Sequence, residues 1–144
     1  MKNLELILDT NIIISALINE NSIIRDILVS NKIDFFAPEY VLDEIEKHHE
    51  LIQKKGNLAE MEFYFTLGYL MRNVKLIKKE YFSHNLKEAK NIMEDIDVYD
   101  SEFLALGMSI PNDGIFSNDD DFDETELKRW NVREVIDWLE KYEL

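Results

Sequence analysis

The run Leu4-Glu5-Leu6-Ile7-Leu8 has the length and apolar content of a strand. It stops at Asp9-Thr10-Asn11, residue types that cap helices, before the apolar stretch Ile12 to Leu17. This pattern predicts a strand, a polar tip and a helix in succession. Ser22 to Ser30 predicts a second amphipathic helix, and Lys32 to Ala37 a short strand stopped by Pro38. Pro38 suits a first helical turn. The recurrence of Val41, Leu42, Ile45, Leu51 and Ile52 predicts one helix from there to Gly56, and another follows from Leu58 to Arg72. Val74 to Ile77 predicts a strand, Asn85 to Asp95 a helix, and Tyr99 to Ile110 a helix with Phe103, Leu106 and Ile110 on one face. After the turn signal Asn112-Asp113-Gly114, the stretch Gly114 to Ser117 reads as a short buried strand, and Val132 to Tyr142 as a strand remnant plus a final helix.

Strands alternating with helices imply an α/β fold with a mostly parallel sheet covered on both faces. In such sheets ligands bind beyond the carboxyl ends of the strands, where the strand order switches. Asp9 and Asp119 both follow predicted strands and belong at that edge.

The chain's 144 residues suit one domain, residues 1–144, and 46% hydrophobic content with few Gly and Pro points to a folded globule. With no cysteine, disulfide frameworks, thiolate metal sites and thiol nucleophiles are excluded. Asp9 and Asn11 interrupt the apolar N-terminal stretch before it becomes the uncharged core of a signal peptide or membrane span, so a cytoplasmic protein is expected. A net charge of −14 argues against broad nonspecific binding to nucleic acid. The charge is uneven, however: residues 47–90 carry 9 basic and 5 acidic side chains, while residues 91–144 carry 4 and 16.

The acidic excess is densest in Ile115-Phe116-Ser117-Asn118-Asp119-Asp120-Asp121-Phe122-Asp123-Glu124. Carboxylates this close raise one another's pKa unless a cation meets them. Oxygen-only ligands suit hard divalent ions such as Mg²⁺ or Mn²⁺. Asp119, Asp121 and Asp123 have the alternation of a helix-loop-helix calcium site, but Glu124 stands where that loop requires Gly and Trp130 where it requires Glu. Calcium of that kind is excluded. Taken singly, Glu44 reads as a solvated helix residue, and Asp97 as a cap for the helix beginning near Tyr99. Asp9, closing an apolar strand, has the strongest independent case. No phosphate loop, dinucleotide-binding turn or nucleophile elbow occurs. His48 and His49 are adjacent, and His84 stands alone, so ordinary surface or partly buried histidines are expected.

Four segments, in order, resemble the PIN-domain ribonucleases. They are Leu6 to Leu17 with its D-T-N, Pro38 to Ile45 with Glu44, Asp97 to Leu106 with Asp100, and Ile115 to Phe122 with its D-x-D-F. Gly107 departs from the pattern, where the family more often has Ala. Asp43 beside Glu44, and Asp97 beside Asp100, are competing assignments. The resemblance implies a three-layer α/β/α sandwich that gathers Asp9, Glu44, Asp100 and Asp119 around one or two Mg²⁺ or Mn²⁺ ions. Asp121 and Asp97 are then supporting or alternate ligands, and Thr10, Asn11 and Ser117 supporting or substrate-positioning groups. It also implies hydrolysis of RNA phosphodiester bonds by metal-activated water, which needs no histidine base.

Small members of that family are commonly toxins of toxin–antitoxin pairs, inhibited by a partner peptide in the acidic groove, and they commonly form homodimers. Two divalent ions would offset four charge units where a phosphate must arrive. Arg72, Lys75, Lys78, Lys79, Lys87 and Lys90 are candidates for RNA-backbone contact, or merely solvate their elements. A noncatalytic PIN-like RNA- or protein-binding module, and a metal-dependent DNA or flap nuclease, are the alternative readings.

Overall fold

The computed structural model describes residues 2–142, with Val98 as backbone only. Five strands, β1 (Leu4–Leu8), β2 (Ile33–Pro38), β3 (Val74–Ile77), β4 (Ile115–Phe116) and β5 (Arg129–Trp130), form one sheet in the order β3-β2-β1-β4-β5. Every neighbouring pair is parallel, with Leu6 opposite Phe35, Ile7 opposite Ile115 and Phe116 opposite Trp130. The strand order explains the apolar runs: β1 and β4, inside the sheet, are almost wholly buried, whereas the edge strands β3 and β5 are only partly so.

The chain steps from β1 outward to β3, then returns past β1 to lay down β4 and β5. Right-handed crossovers in opposite directions put the intervening helices on opposite faces. One layer holds α1 (Thr10–Ile18), α2 (Ile23–Leu28), α3 (Tyr40–Lys47), α4 (His49–Gly56) and α5 (Glu60–Met71), where α1 packs against the other four. The other holds α7 (Ser101–Ser109), packed on β1 and β2, and α6 (Leu86–Met93), packed on α7. The last helix, α8 (Val132–Tyr142), docks against α2 and β5. The result is the three-layer α/β/α fold expected from the sequence, with the switch in strand order between β1 and β4.

Several element boundaries differ from the pattern reading. The helix expected from Pro38 to Gly56 is two: Pro38 ends β2, and the chain breaks at His48 (φ −101°, ψ 13°) between α3 and α4. Ile45 and Ile52 are both buried and seven residues apart, so helical periodicity runs straight through the break and does not register it. Val132 to Tyr142 is helix throughout, and the strand remnant lies just before it as β5. Tight 3₁₀ turns at Ser83–Asn85 and Val98–Asp100 lead into α6 and α7, which therefore begin later than expected.

Two glycines are dictated by close approach. Gly114 has φ +134°, and a Cβ there would stand 2.1 Å from the Lys128 carbonyl oxygen, so only glycine lets β4 enter beside β5. At Gly107 a Cβ would fall 2.3 Å from the Leu127 side chain. The departure from the family's Ala thus has a cause, since buried Leu127 fills the space an alanine would take.

Candidate metal and nucleic-acid site

Asp9 sits where β1 ends and α1 begins, 4% exposed. Its Oδ2 accepts a 2.6 Å hydrogen bond from the hydroxyl of Ser117, the fully buried residue that follows β4. The same Ser117 Oγ accepts from the Asp119 backbone N–H at 3.0 Å. Asp119 Oδ1 in turn accepts from the Asp121 N–H at 3.0 Å, capping a 3₁₀ turn over Asp120–Phe122. Phe122 is buried edge-on to Phe103 of α7, with ring centroids 6.5 Å apart, and so fastens the acidic turn to that helix. In the pattern S-x-D-x-D-F, therefore, the serine and phenylalanine hold what the aspartates present.

Two further segments close the site. The Thr10 hydroxyl donates to Glu44 Oε1 at 2.6 Å, tying α3 to the start of α1. Asp100 is the N-cap residue of α7, and Asp97 Oδ1 accepts from the Tyr99 N–H at 2.9 Å, which caps the 3₁₀ turn before the helix and not, as expected, the helix itself. Asp9, Glu44, Asp97, Asp100 and Asp119 all line one pocket of about 300 Å³, together with Thr10 and Asn11. Asp97, Asp100 and Asp121 bring carboxylate oxygens within 4.8 Å of one another, and Asp119, Asp120 and Asp121 form a second such group.

Of the competing assignments, Asp97 and Asp100 both line the pocket, whereas Asp43 and Glu44 separate geometrically. Glu44 faces the acidic pocket, while exposed Asp43 lines a neighbouring one with Lys79 and Glu102. Ser117 is not on the pocket wall but beneath it, buried against Asp9. Asp120 is exposed, whereas Asp123 is more than a solvated neighbour: Arg129 grips both its oxygens at 2.8 and 3.0 Å. Arg129 also lines an open pocket with Asn11, Asn118, Asp119 and Asp120, so this cation borders the cluster.

Electrostatics shows how uncomfortable the cluster is by itself. Burial, then the charges of Asp9, Asp97, Asp119 and Asp121, pushes the Asp100 carboxyl up to about 8. Burial also raises Asp9, against the hydrogen bond from Ser117, and raises Glu44, against the one from Thr10. For Asp121 burial and the neighbouring Asp119 act in the same direction, upward. A donor set made wholly of oxygen, held together although it resists ionisation, fits a hard divalent cation, which would restore the charged forms.

Four residues of the pocket wall escaped the pattern reading: Tyr40, Lys47, His48 and Tyr99. Tyr40, Lys47 and His48 lie four before, three after and four after Glu44, so the helical spacing around that acid was the available signal. His48, expected as an ordinary surface residue, contributes positive character that opposes the rise in Glu44. Its neighbour His49 turns away to stack on Phe63, 4.3 Å between centroids. For Tyr99 no spacing signal existed.

The doubly covered parallel sheet thus carries, at its switch point, a group of carboxylates able to hold a metal. The profile of the PIN domain family matches residues 7–140, and the chain belongs to that family. A comparison with curated proteins returned no match. No helix among the described residues is long and apolar enough to cross a membrane.

Proposed function

We propose that the protein is an endoribonuclease that hydrolyses RNA phosphodiester bonds with one or two Mg²⁺ or Mn²⁺ ions. The observation that carries this reading is convergence: Asp9, Glu44, Asp100 and Asp119, from four separate stretches of chain, line one pocket at the switch point of the sheet. In this reading those four hold the metal, with Asp97 and Asp121 as supporting ligands.

A divalent ion held by these carboxylates would supply an activated water and neutralise charge developing on the phosphate. The rest is done by the chain. Ser117 and Thr10 each engage one carboxylate oxygen, which fixes the orientation of Asp9 and Glu44 before substrate arrives. Lys47 and His48, which line the same pocket as Asp97 and Asp100, meet phosphate oxygens, and exposed Asn11 positions the strand. Of the basic middle block, Lys78 and Lys79 follow the carboxyl end of β3, the sheet edge that carries the site, and Lys79 lines the pocket next door with Tyr40. They are assigned the RNA backbone. Arg72 and Lys75 flank the other end of β3, near Asn31 and Asp34, and are not.

The protein is further proposed to work in the cytoplasm as the toxin of a toxin–antitoxin pair, inhibited by a partner peptide that occupies the acidic pocket, and to form a homodimer. A cleavage assay on mixed RNA and DNA, with Mg²⁺, Mn²⁺ or EDTA, tests the activity. Cleavage of DNA instead of RNA would replace this reading by a DNA or flap nuclease, and binding without cleavage by a noncatalytic module. Co-expression with the product of the adjacent reading frame tests the toxin role, through relief of growth arrest.

A further inference from the structure

Of the chain's six tyrosines, Tyr64 stands edge-on to Phe63 and His49, Tyr69 lies under the Arg72 guanidinium, and Tyr142 packs against Trp138. Among the described residues no ring or cation lies against Tyr40, Tyr81 or Tyr99. Tyr40 and Tyr99 share the wall of the acidic pocket. Tyr99 is 73% exposed there, and it directly precedes Asp100 in the chain. Single exposed rings are ordinary. Two rings with free faces on the wall of one carboxylate-lined pocket call for a ligand that has a flat face of its own.

Tyr99 is also held in place. Its N–H donates to Asp97 Oδ1 at 2.9 Å, the Asp100 N–H donates to the Asp97 carbonyl at 3.1 Å, and Tyr99 is the middle residue of the 3₁₀ turn Val98–Asp100 that leads into α7. A backbone fixed in advance reduces the entropy lost when the ring is covered. Tyr40 stands nearby: burial raises its phenol first, then the charges of Glu44, Glu102, Asp43 and Tyr99, so the two hydroxyls are close enough to feel one another.

We infer that Tyr99 is the stacking platform for one unpaired base of the RNA whose phosphate enters the acidic pocket, with Tyr40 bordering the base-binding subsite so formed. The inference rests on the nucleic-acid reading above and adds the group that holds the base. Charge supports it first. Affinity for nucleic acid comes mainly from cations that neutralise phosphates. Here the pocket wall sets Lys47 and His48 against five carboxylates, in a chain of net charge −14. Two divalent ions together with Lys47 only balance those carboxylates, so the phosphates contribute little. Stacking on an aromatic ring is indifferent to charge and is worth about tenfold to a hundredfold in affinity per base. Proximity supports it next. One nucleotide carries a phosphate and a flat ring together, and the pocket offers a cluster of metal-competent oxygens at Asp97, Asp100 and Asp121 beside a free ring at Tyr99.

The test compares three end-labelled chains of about eight residues, oligoadenylate, oligouridylate and an abasic ribose-phosphate, in fluorescence anisotropy titrations. Ca²⁺ replaces Mg²⁺, and gels confirm that the RNA stays intact. Wild type is expected to bind them in that order, following ring area. Tyr99→Ala should weaken oligoadenylate binding about tenfold to a hundredfold while leaving the abasic chain and the salt dependence unchanged. Tyr99→Phe should bind within about twofold of wild type, whereas Tyr99→Leu, apolar but without a ring face, should not restore binding. Helical circular dichroism should be the same in all four proteins, since the exposed ring supports no packing.

Oligoadenylate bound equally by wild type and Tyr99→Ala, an equal loss for the abasic chain, full binding by Tyr99→Leu, or a wild type that binds no RNA would each overturn the inference. A Tyr99→Ala protein that binds RNA normally but escapes inhibition by the product of the adjacent reading frame would assign the ring to a protein partner and overturn it too. The nuclease reading is judged separately. Base-dependent binding in Ca²⁺ with no cleavage in Mg²⁺ removes that reading alone, and cleavage by Tyr99→Ala with kcat/KM unchanged removes this inference alone.

Discussion

Replacing Asp100 by Asn should stabilise the metal-free protein while abolishing its activity. Asp100 is held up to about 8 by burial and by four neighbouring carboxylates, against 3.8 in an unstructured chain. Between about pH 4 and pH 8 the folded chain therefore keeps a proton that the unfolded chain has released, and stability falls as pH rises through that window. At the acidic end both states are protonated and the deficit vanishes. Taken at face value, such a shift corresponds to about 6 kcal/mol across the window. Asp100 is only half-buried and open to the pocket, so solvent screening and local adjustment reduce this to about 1–2 kcal/mol.

An uncharged amide of the same shape escapes the deficit. In EDTA at pH 7.5–8, Asp100→Asn should therefore melt about 3–8 °C above the wild type, with the gap closing toward pH 4. Added Mg²⁺ at about 100 times its dissociation constant should stabilise the wild type by about 2.7 kcal/mol and the variant by less, which narrows or reverses the order. Thermal melts followed by circular dichroism across pH, with and without metal, read every arm. Equal melting temperatures in EDTA at pH 8, or a gap that does not change between pH 4 and pH 8, would refute the claim that the cluster is strained without a cation.

Further substitutions probe the supports of the site and its RNA contacts. Ser117→Ala strips the buried Asp9 carboxylate of its donor and should cost about 1–3 kcal/mol in a denaturant melt, with metal affinity lowered as well. Phe122→Ala removes the anchor between the acidic turn and α7; about 3–5 kcal/mol is expected from the cavity, with metal binding reduced even at temperatures where the fold persists. Charge reversal at Lys78 and Lys79 together should weaken RNA binding and flatten its salt dependence, while Lys75→Glu, at the opposite sheet edge, should leave both unchanged in fluorescence anisotropy titrations.

The sheet and most of the site were legible because short-range rules and the fold pointed the same way. An apolar run ending in Asp9 is both a strand signal and a location, since parallel sheets put their ligand edge at strand ends. Glu44 and Asp100 came only from the resemblance to the PIN-domain family, since no local pattern distinguished them from solvated residues. What could not be read was whatever depends on contacts distant in sequence. Periodicity carries Ile45 and Ile52 through the break at His48, and the short strand β5 is fixed by its pairing with β4, not by its composition. The polar groups facing Glu44 were hidden for a different reason. Lys47 and His48 acquire meaning only once α3 is packed against α1, and a single sequence shows the spacing without the neighbour. Gly107 is the clearest case, because its partner Leu127 lies twenty residues away and supplies the only reason for a glycine there.

The central claim, that the four converging acids hold a metal that serves RNA cleavage, is tested most directly by one paired measurement. Single-stranded RNA should be cleaved by the wild type in Mg²⁺ or Mn²⁺ and left intact in EDTA. Asp9→Asn and Asp119→Asn should each abolish cleavage under every metal condition while remaining folded by circular dichroism. RNA cleavage that survives EDTA, or that survives either substitution, would contradict the account.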